Sequence, residues 1–221
     1  MAAIRRGLGW YQHQLAKKPV RTQMITSSIL WAIGDCAAQS LDLALDSRSS
    51  AAEKTKHTEQ SRKGLDWRRV ALCSSFGFAF VGPVGHFWYE GLDNVVKHRL
   101  RFLPKSPKFI AAKVLADGLI FGPIHLLSFF SYMSLVSGSS LQKLKEDLKR
   151  DFLPAFMLEG SMWPIVQVFN FRFIPIEHQL LYVNAFCILD SAFLSWFKHQ
   201  ADAPWKAWLS SLIIRKKEEK D

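Results

Sequence analysis

Two stretches without a single charged side chain decide what this chain can fold into. No Asp, Glu, Lys or Arg occurs between residues 70 and 89, and none between 118 and 142. Each run matches the ~20 apolar residues that a helix needs to cross a ~30 Å hydrocarbon layer. One such run could be a buried helix of a water-soluble core. Two of them in 221 residues leave too little amphipathic helix to cover both. Mean hydropathy is only +0.02 because 22% of the residues are charged, but those charges are segregated from the two apolar runs. The expected fold is an all-α integral membrane helical bundle forming one domain.

The charges on those flanks suit a bilayer. Lys97, Arg99, Arg101, Lys105 and Lys108 follow the first run, and Lys143, Lys145, Lys149 and Arg150 follow the second. Basic residues at span ends anchor in phospholipid headgroups. Net charge is +10, but the basic residues form no continuous stripe, so lipid and not nucleic acid is the expected partner. Cys36, Cys73 and Cys187 are far apart and odd in number, which gives neither a disulfide framework nor a metal spacing. The first residues lack the apolar core of a signal peptide, so secretion is not expected. Five basic residues precede the first acid, Asp35, a start that suits mitochondrial import and a basic juxtamembrane flank equally. The final Glu219-Lys220-Asp221 is neither the peroxisomal tripeptide nor the endoplasmic-reticulum retrieval signal.

Taken in order, residues 1–21 read as a basic flank with an interfacial helix stopping at Pro19. The membrane domain follows over residues 22–197, and a polar tail over 198–221. Within that domain the first span covers residues 22–45. A polar loop at 46–66 loses all hydrophobic periodicity. The second span covers 67–96, with Trp67 and Trp88-Tyr89 marking interface depth and a bend or unwinding at Gly82-Pro83. The third covers 109–136 and contains Gly122-Pro123. A separate charged amphipathic piece occupies 141–151, then a Pro-kinked segment 152–171, then a last span at 178–197. That makes four spans, or five if 152–171 crosses fully. With four, the N-terminus, the 97–108 loop together with Lys113, and the tail share one side and carry 17 of the 29 Lys and Arg. This bias places both termini on the side of insertion.

Two polar stripes run along these apolar rods. Glu159, Trp163, Gln167 and Asn170 fall within about 80° of helical arc, as do Ser28, Trp31, Asp35 and Gln39. In a bilayer such stripes turn toward protein or a wet cavity. Gly34, with Ala38 one turn on, offers a close helix approach, and Asn184, Cys187, Ser191 and Ser195 form a small packing face. A carboxylate in hydrocarbon costs at least ~2.5 kcal/mol, so Asp35, Asp117, Glu159 and Asp190 each need water or a partner. In one reading Asp35, Gln39, Glu159, Gln167 and Asn170 line an aqueous path that favours cations. In the other, the acids are neutralised or paired with bases such as Arg21, Arg69, Lys113 or Arg172. Asp117 is expected to pair with Lys113 one turn earlier. His86 and Glu90, with His125, match no metal-binding spacing, so neither metal nor cofactor is expected. His86 is instead expected to satisfy backbone groups freed by Pro83. No nucleophile elbow, P-loop or dinucleotide loop occurs, which argues against an enzyme.

Several short motifs occur in a fixed order. They are Gly34-Asp35-x-x-x-Gln39, then Asp66-Trp67-Arg68-Arg69, then Gly82-Pro83-x-x-His86-x-Trp88-Tyr89-x-x-Leu92. Trp163-Pro164-x-x-Gln167-x-x-Asn170-Phe171-x-x-x-Pro175 and Leu194-Ser195-Trp196 complete the set. Over residues 10 to 197 this series resembles the Mpv-seventeen and peroxisomal-membrane-protein family. The resemblance implies a small multi-pass protein, usually drawn with four spans, in the mitochondrial inner membrane first and the peroxisomal membrane second. It implies a weakly selective channel for small metabolites or ions, open to homo-oligomer formation, with structural roles for the motif Gly, Pro, His and aromatic residues. A non-conducting scaffold or assembly factor is the alternative, and a membrane hydrolase a remote one. Three positions depart from the family pattern: Gln179 replaces an Arg, Asp190 a Trp, and Gly118 a Gln.

Overall fold

A computed structural model describes residues 2–52 and 64–199, and every regular element among them is helical. We label them α1 (Ala2–Lys17), α2 (Pro19–Ala52), α3 (Trp67–Arg99), α4 (Pro107–Val136), α5 (Leu141–Phe173) and α6 (Ile176–His199).

Local chemistry sets most boundaries. Pro19 opens α2, where its missing N–H would have had no helical partner. Asp66 caps α3 by accepting from the Arg69 N–H at 3.2 Å. Ser106 and Ser140 cap α4 and α5 in the same way, each at 3.2 Å. Gly138, at φ 80°, takes the left-handed conformation that closes α4.

Two expected boundaries are displaced. Residues 46–52 are helical, not part of the loop, because nothing from 47 to 52 is Gly or Pro and each added residue gains a hydrogen bond. The charged piece at 141–151 is not separate from 152–171 either. Both belong to the 33-residue α5, which starts at the Ser140 cap and carries Pro154 and Pro164 inside it. Each Pro removes one intrahelical bond, and the turns on either side keep the rod continuous.

The Gly-Pro pairs produce a local change of pitch. Gly77–Val81 and Asp117–Phe121 are π-helical turns lying directly before Gly82-Pro83 and Gly122-Pro123. The Gly82 N–H reaches the Gly77 carbonyl, and the Gly122 N–H that of Asp117, five residues back in each case. The wider turn re-pairs carbonyls next to the proline, so both helices continue through it.

Contacts fix the direction of each helix. Asp35 meets Arg69 and Ser28 meets Ser74, so α3 runs antiparallel to α2. Ser75 meets Tyr132 and Asp93 meets Lys113, so α4 reverses again. Trp163 packs on Phe186 and Phe169 on Tyr182, so α5 and α6 are antiparallel. Gln23 meets the Glu177 carbonyl, Ser27 meets Asn184, and Gly34 lies against Ile188 and Ser191. Thus α6 runs parallel to α2. We call the end holding Arg69 and Val136 the upper end, and the end holding Lys113 and Ile176 the lower.

Close packing of α2 on α3 depends on glycine. A Cβ on Gly77 would stand 2.8 Å from the Ser27 carbonyl oxygen, and one on Gly82 2.8 Å from the Met24 amide nitrogen. The apolar core gathers Phe76, Val81, Tyr89, Leu92, Phe109 and Leu180. Helices α3 and α4 are long and apolar enough to cross a membrane, with mean hydropathy 1.4 and 1.7. Only 6% of the apolar window of α4 is buried in the bundle, leaving Leu115, Leu119, Ile120 and Ile124 exposed. A soluble core helix would hide such a face, and hydrocarbon is the solvent that suits it.

Candidate functional site

The polar residues sort into three larger bonded groups, one tie between α2 and α6, and a main cavity. At the upper end, Asp35 Oδ1 lies 2.8 Å from Arg69 Nε, and its Oδ2 accepts from Gln39 Nε2 at 2.7 Å. Gln39 Oε1 in turn accepts the Asp66 backbone N–H at 2.7 Å. One helical turn separates Asp35 from Gln39, so the Gly34-to-Gln39 motif clasps α2 onto the first turn of α3.

A second group joins α3, α4 and α5. Asp117 accepts from Trp88 Nε1 at 2.8 Å and from Gln167 Nε2 at 2.7 Å. Gln167 also donates to the Tyr89 hydroxyl at 3.0 Å, and Asn170 Nδ2 donates to Gln167 Oε1 at 2.8 Å. Trp88 and Tyr89 are therefore inward-facing hydrogen-bonding residues, and Tyr89 is 2% exposed. Asn184 ties α6 to α2, donating to Ser27 Oγ at 2.7 Å and accepting from Trp31 Nε1 at 3.1 Å.

The third group lies at the lower end and corrects the expected Asp117–Lys113 pair. Lys113, fully buried, donates to Asp93 Oδ1 at 3.1 Å and Gln179 Oε1 at 3.4 Å. Its ammonium sits 4.6 Å from the Phe171 ring centroid and 5.3 Å from that of Phe109. A desolvated ammonium gains most from a carboxylate on the facing helix backed by ring faces, and Asp93 supplies it. Lys97 reaches the other Asp93 oxygen at 2.5 Å. The family-departing Gln179 thus acts as a neutral acceptor for Lys113. Arg172 donates to the Lys105 carbonyl at 3.0 Å, and Glu159 is not its partner.

Two further expectations shift. His86 Nε2 lies 3.6 Å from Glu90 Oε1 and does not take up backbone groups freed by Pro83; the π-turn already deals with those. His125 is edge-on to Trp31 and Phe76, at 5.8 and 5.9 Å between centroids, in a different cavity from His86.

The main cavity has a volume of about 440 Å³ and is lined by residues of all five helices α2 to α6. Asp35, Glu159 and Gln167 line it, whereas Gln39 and Asn170 do not. Asp35 and Gln167 are already engaged, as above. The carboxyl groups of Glu159 and Asp190, from α5 and α6, face the same space without a hydrogen-bond or ion-pair partner among the described residues. Asp190 stands out in the sequence as an acid within a span and in place of an aromatic residue, but nothing there places it opposite Glu159. Of the motif residues, Trp163 packs edge-on to Phe186, and Pro164 forms cavity wall. Phe171 is core, and Pro175 breaks the chain between α5 and α6.

Comparison with known proteins agrees with this architecture. Residues 134–195 match the Mpv17 / PMP22 family. The chain is 32% identical to Protein sym-1 of Neurospora crassa, over 87% of this chain and 99% of that protein. It is 34% identical to the mitochondrial inner membrane protein Mpv17 of Xenopus laevis, over 84% and 93% respectively. PXMP2/4 family protein 4 of Dictyostelium discoideum is 31% identical, over 84% and 89%. No solved structure matches.

Proposed function

Since the chain belongs to the Mpv17 / PMP22 family, we propose that it forms a weakly selective path for small metabolites or ions across its membrane. That membrane is the mitochondrial inner membrane, with the peroxisomal membrane as second choice. The observation that supports a path is the cavity lined by the five helices α2 to α6, where Glu159 and Asp190 remain without partners among the described residues. Acids used only as glue between helices would be engaged like Asp35 and Asp117. Free carboxylates beside a narrow aqueous space attract cations, so cation preference follows. Purified protein in a planar bilayer should show conductance steps that favour cations. A silent wild-type protein would leave the scaffold reading, which the bonded clasp at Asp35 favours.

The alternating directions of α2 to α6 support five crossings and not four. Five passes put 17 of the 29 Lys and Arg at the upper end and 12 at the lower, which orients the upper end toward the side that retains basic segments. Cysteines introduced at Ser50 and His199 should then react with an impermeant thiol reagent from one face, and a cysteine at Lys105 from the other. Labelling of Ser50 and His199 from opposite faces would restore the four-span arrangement.

A further inference from the structure

Below the main cavity lies a second one of about 210 Å³, roofed by α1 and reached past Gln12, Glu90 and Glu177, which are all exposed. The two cavities share two wall residues, Tyr89 of α3 and Leu180 of α6. Both are buried, at 2% and 3% exposure. A partition one side chain thick therefore separates a chamber spanning the upper bundle from a chamber that opens at the lower end.

We infer that Tyr89 and Leu180 form the barrier between these chambers and set the size of solute that passes. The inference rests on the reading of the main cavity as a solute path. The two halves of the barrier are held differently. Tyr89 is fixed through its hydroxyl, which accepts from Gln167 at 3.0 Å, and through its edge-on contact with Phe171 at 6.0 Å. Leu180 has no polar tether. It is seated against Gly85, where a Cβ would come within 2.7 Å of Leu180 Cδ1. Gly85 thus leaves the room that Leu180 fills, and a rotamer change at Leu180 is the smallest movement that joins the chambers. An apolar constriction of this kind blocks ions by excluding water.

The test uses full-length protein in liposomes, with the three native cysteines replaced by Ala and Ser191, on the main cavity wall, changed to Cys. An impermeant thiol reagent is applied from the lower side, and efflux of small solutes is measured in parallel. With Leu180 in place, Ser191→Cys should react slowly from that side. Leu180→Ala should raise the labelling rate severalfold, and efflux with it. Unchanged labelling in a Leu180→Ala protein that melts cooperatively would overturn the barrier, whatever the efflux. Faster labelling with no efflux from any variant would uphold the barrier and remove the path reading. If Leu180→Ala does not fold, Leu180→Val should move labelling in the same direction by less, and no movement there would equally overturn the proposal.

Discussion

Asp35 and the Glu159–Asp190 pair face the same cavity, sit on apolar helices, and are chemically alike, yet they are in opposite states. Both oxygens of Asp35 are engaged within 2.8 Å, by Arg69 and Gln39. Glu159 and Asp190 have no such partner among the described residues. Asp35 belongs to a motif whose neighbours hold it: Gln39 one turn on, and Arg69 on the facing helix. Asp190 belongs to no motif. The contrast separates an acid that fastens the bundle from acids that line the cavity without a partner among the described residues.

The largest effect should come from breaking the clasp. Arg69→Ala leaves Asp35 buried without its counter-ion, and removing one partner of a buried pair costs roughly 3 kcal/mol, taken at the low end because Arg69 is half exposed. Thermal unfolding in detergent reads this, and adding Asp35→Asn should recover part of the loss. Full stability of Arg69→Ala alone would mean that Asp35 is as free as Glu159, and the contrast would collapse.

A middle-sized effect is expected at the bonded amide. Gln167→Leu leaves Asp117 with Trp88 as its one remaining donor here and takes the donor from the Tyr89 hydroxyl, a loss of about 1–3 kcal/mol. The smallest change in stability should come from Glu159→Gln and Asp190→Asn. Each keeps size and hydrogen-bonding capacity, and each should stay within about 0.5 kcal/mol of wild type. Loss of much more in either variant would show that these carboxylates are bonded in the membrane and belong with Asp35.

The helices were readable in the sequence because lipid demands uncharged length, and α3 and α4 supply it. The faces of α2 and α5 were readable too, since a helical period places Asp35, Gln39, Glu159, Gln167 and Asn170 on stripes. Partner identity was not. Periodicity says which side of a helix a residue occupies and not which helix lies opposite. Lys113 therefore looked like the mate of Asp117, although Asp93 on α3 claims it. The change from charged to apolar composition inside α5 suggested a boundary near residue 152, but the signal that starts the helix is the Ser140 cap. That Asp190 has no hydrogen-bond or ion-pair partner among the described residues is a property of three-dimensional neighbours, and no local pattern encodes it.

The central claim is that Glu159 and Asp190 supply the charge that a permeating solute meets. The most direct measurement is the reversal potential of reconstituted protein in a planar bilayer under a salt gradient, wild type beside the Glu159→Gln/Asp190→Asn double variant. The account predicts a cation-selective potential for wild type that moves toward anions in the double variant, with unfolding temperature nearly unchanged. The same reversal potential in both proteins, or no conductance from folded wild type, would contradict it.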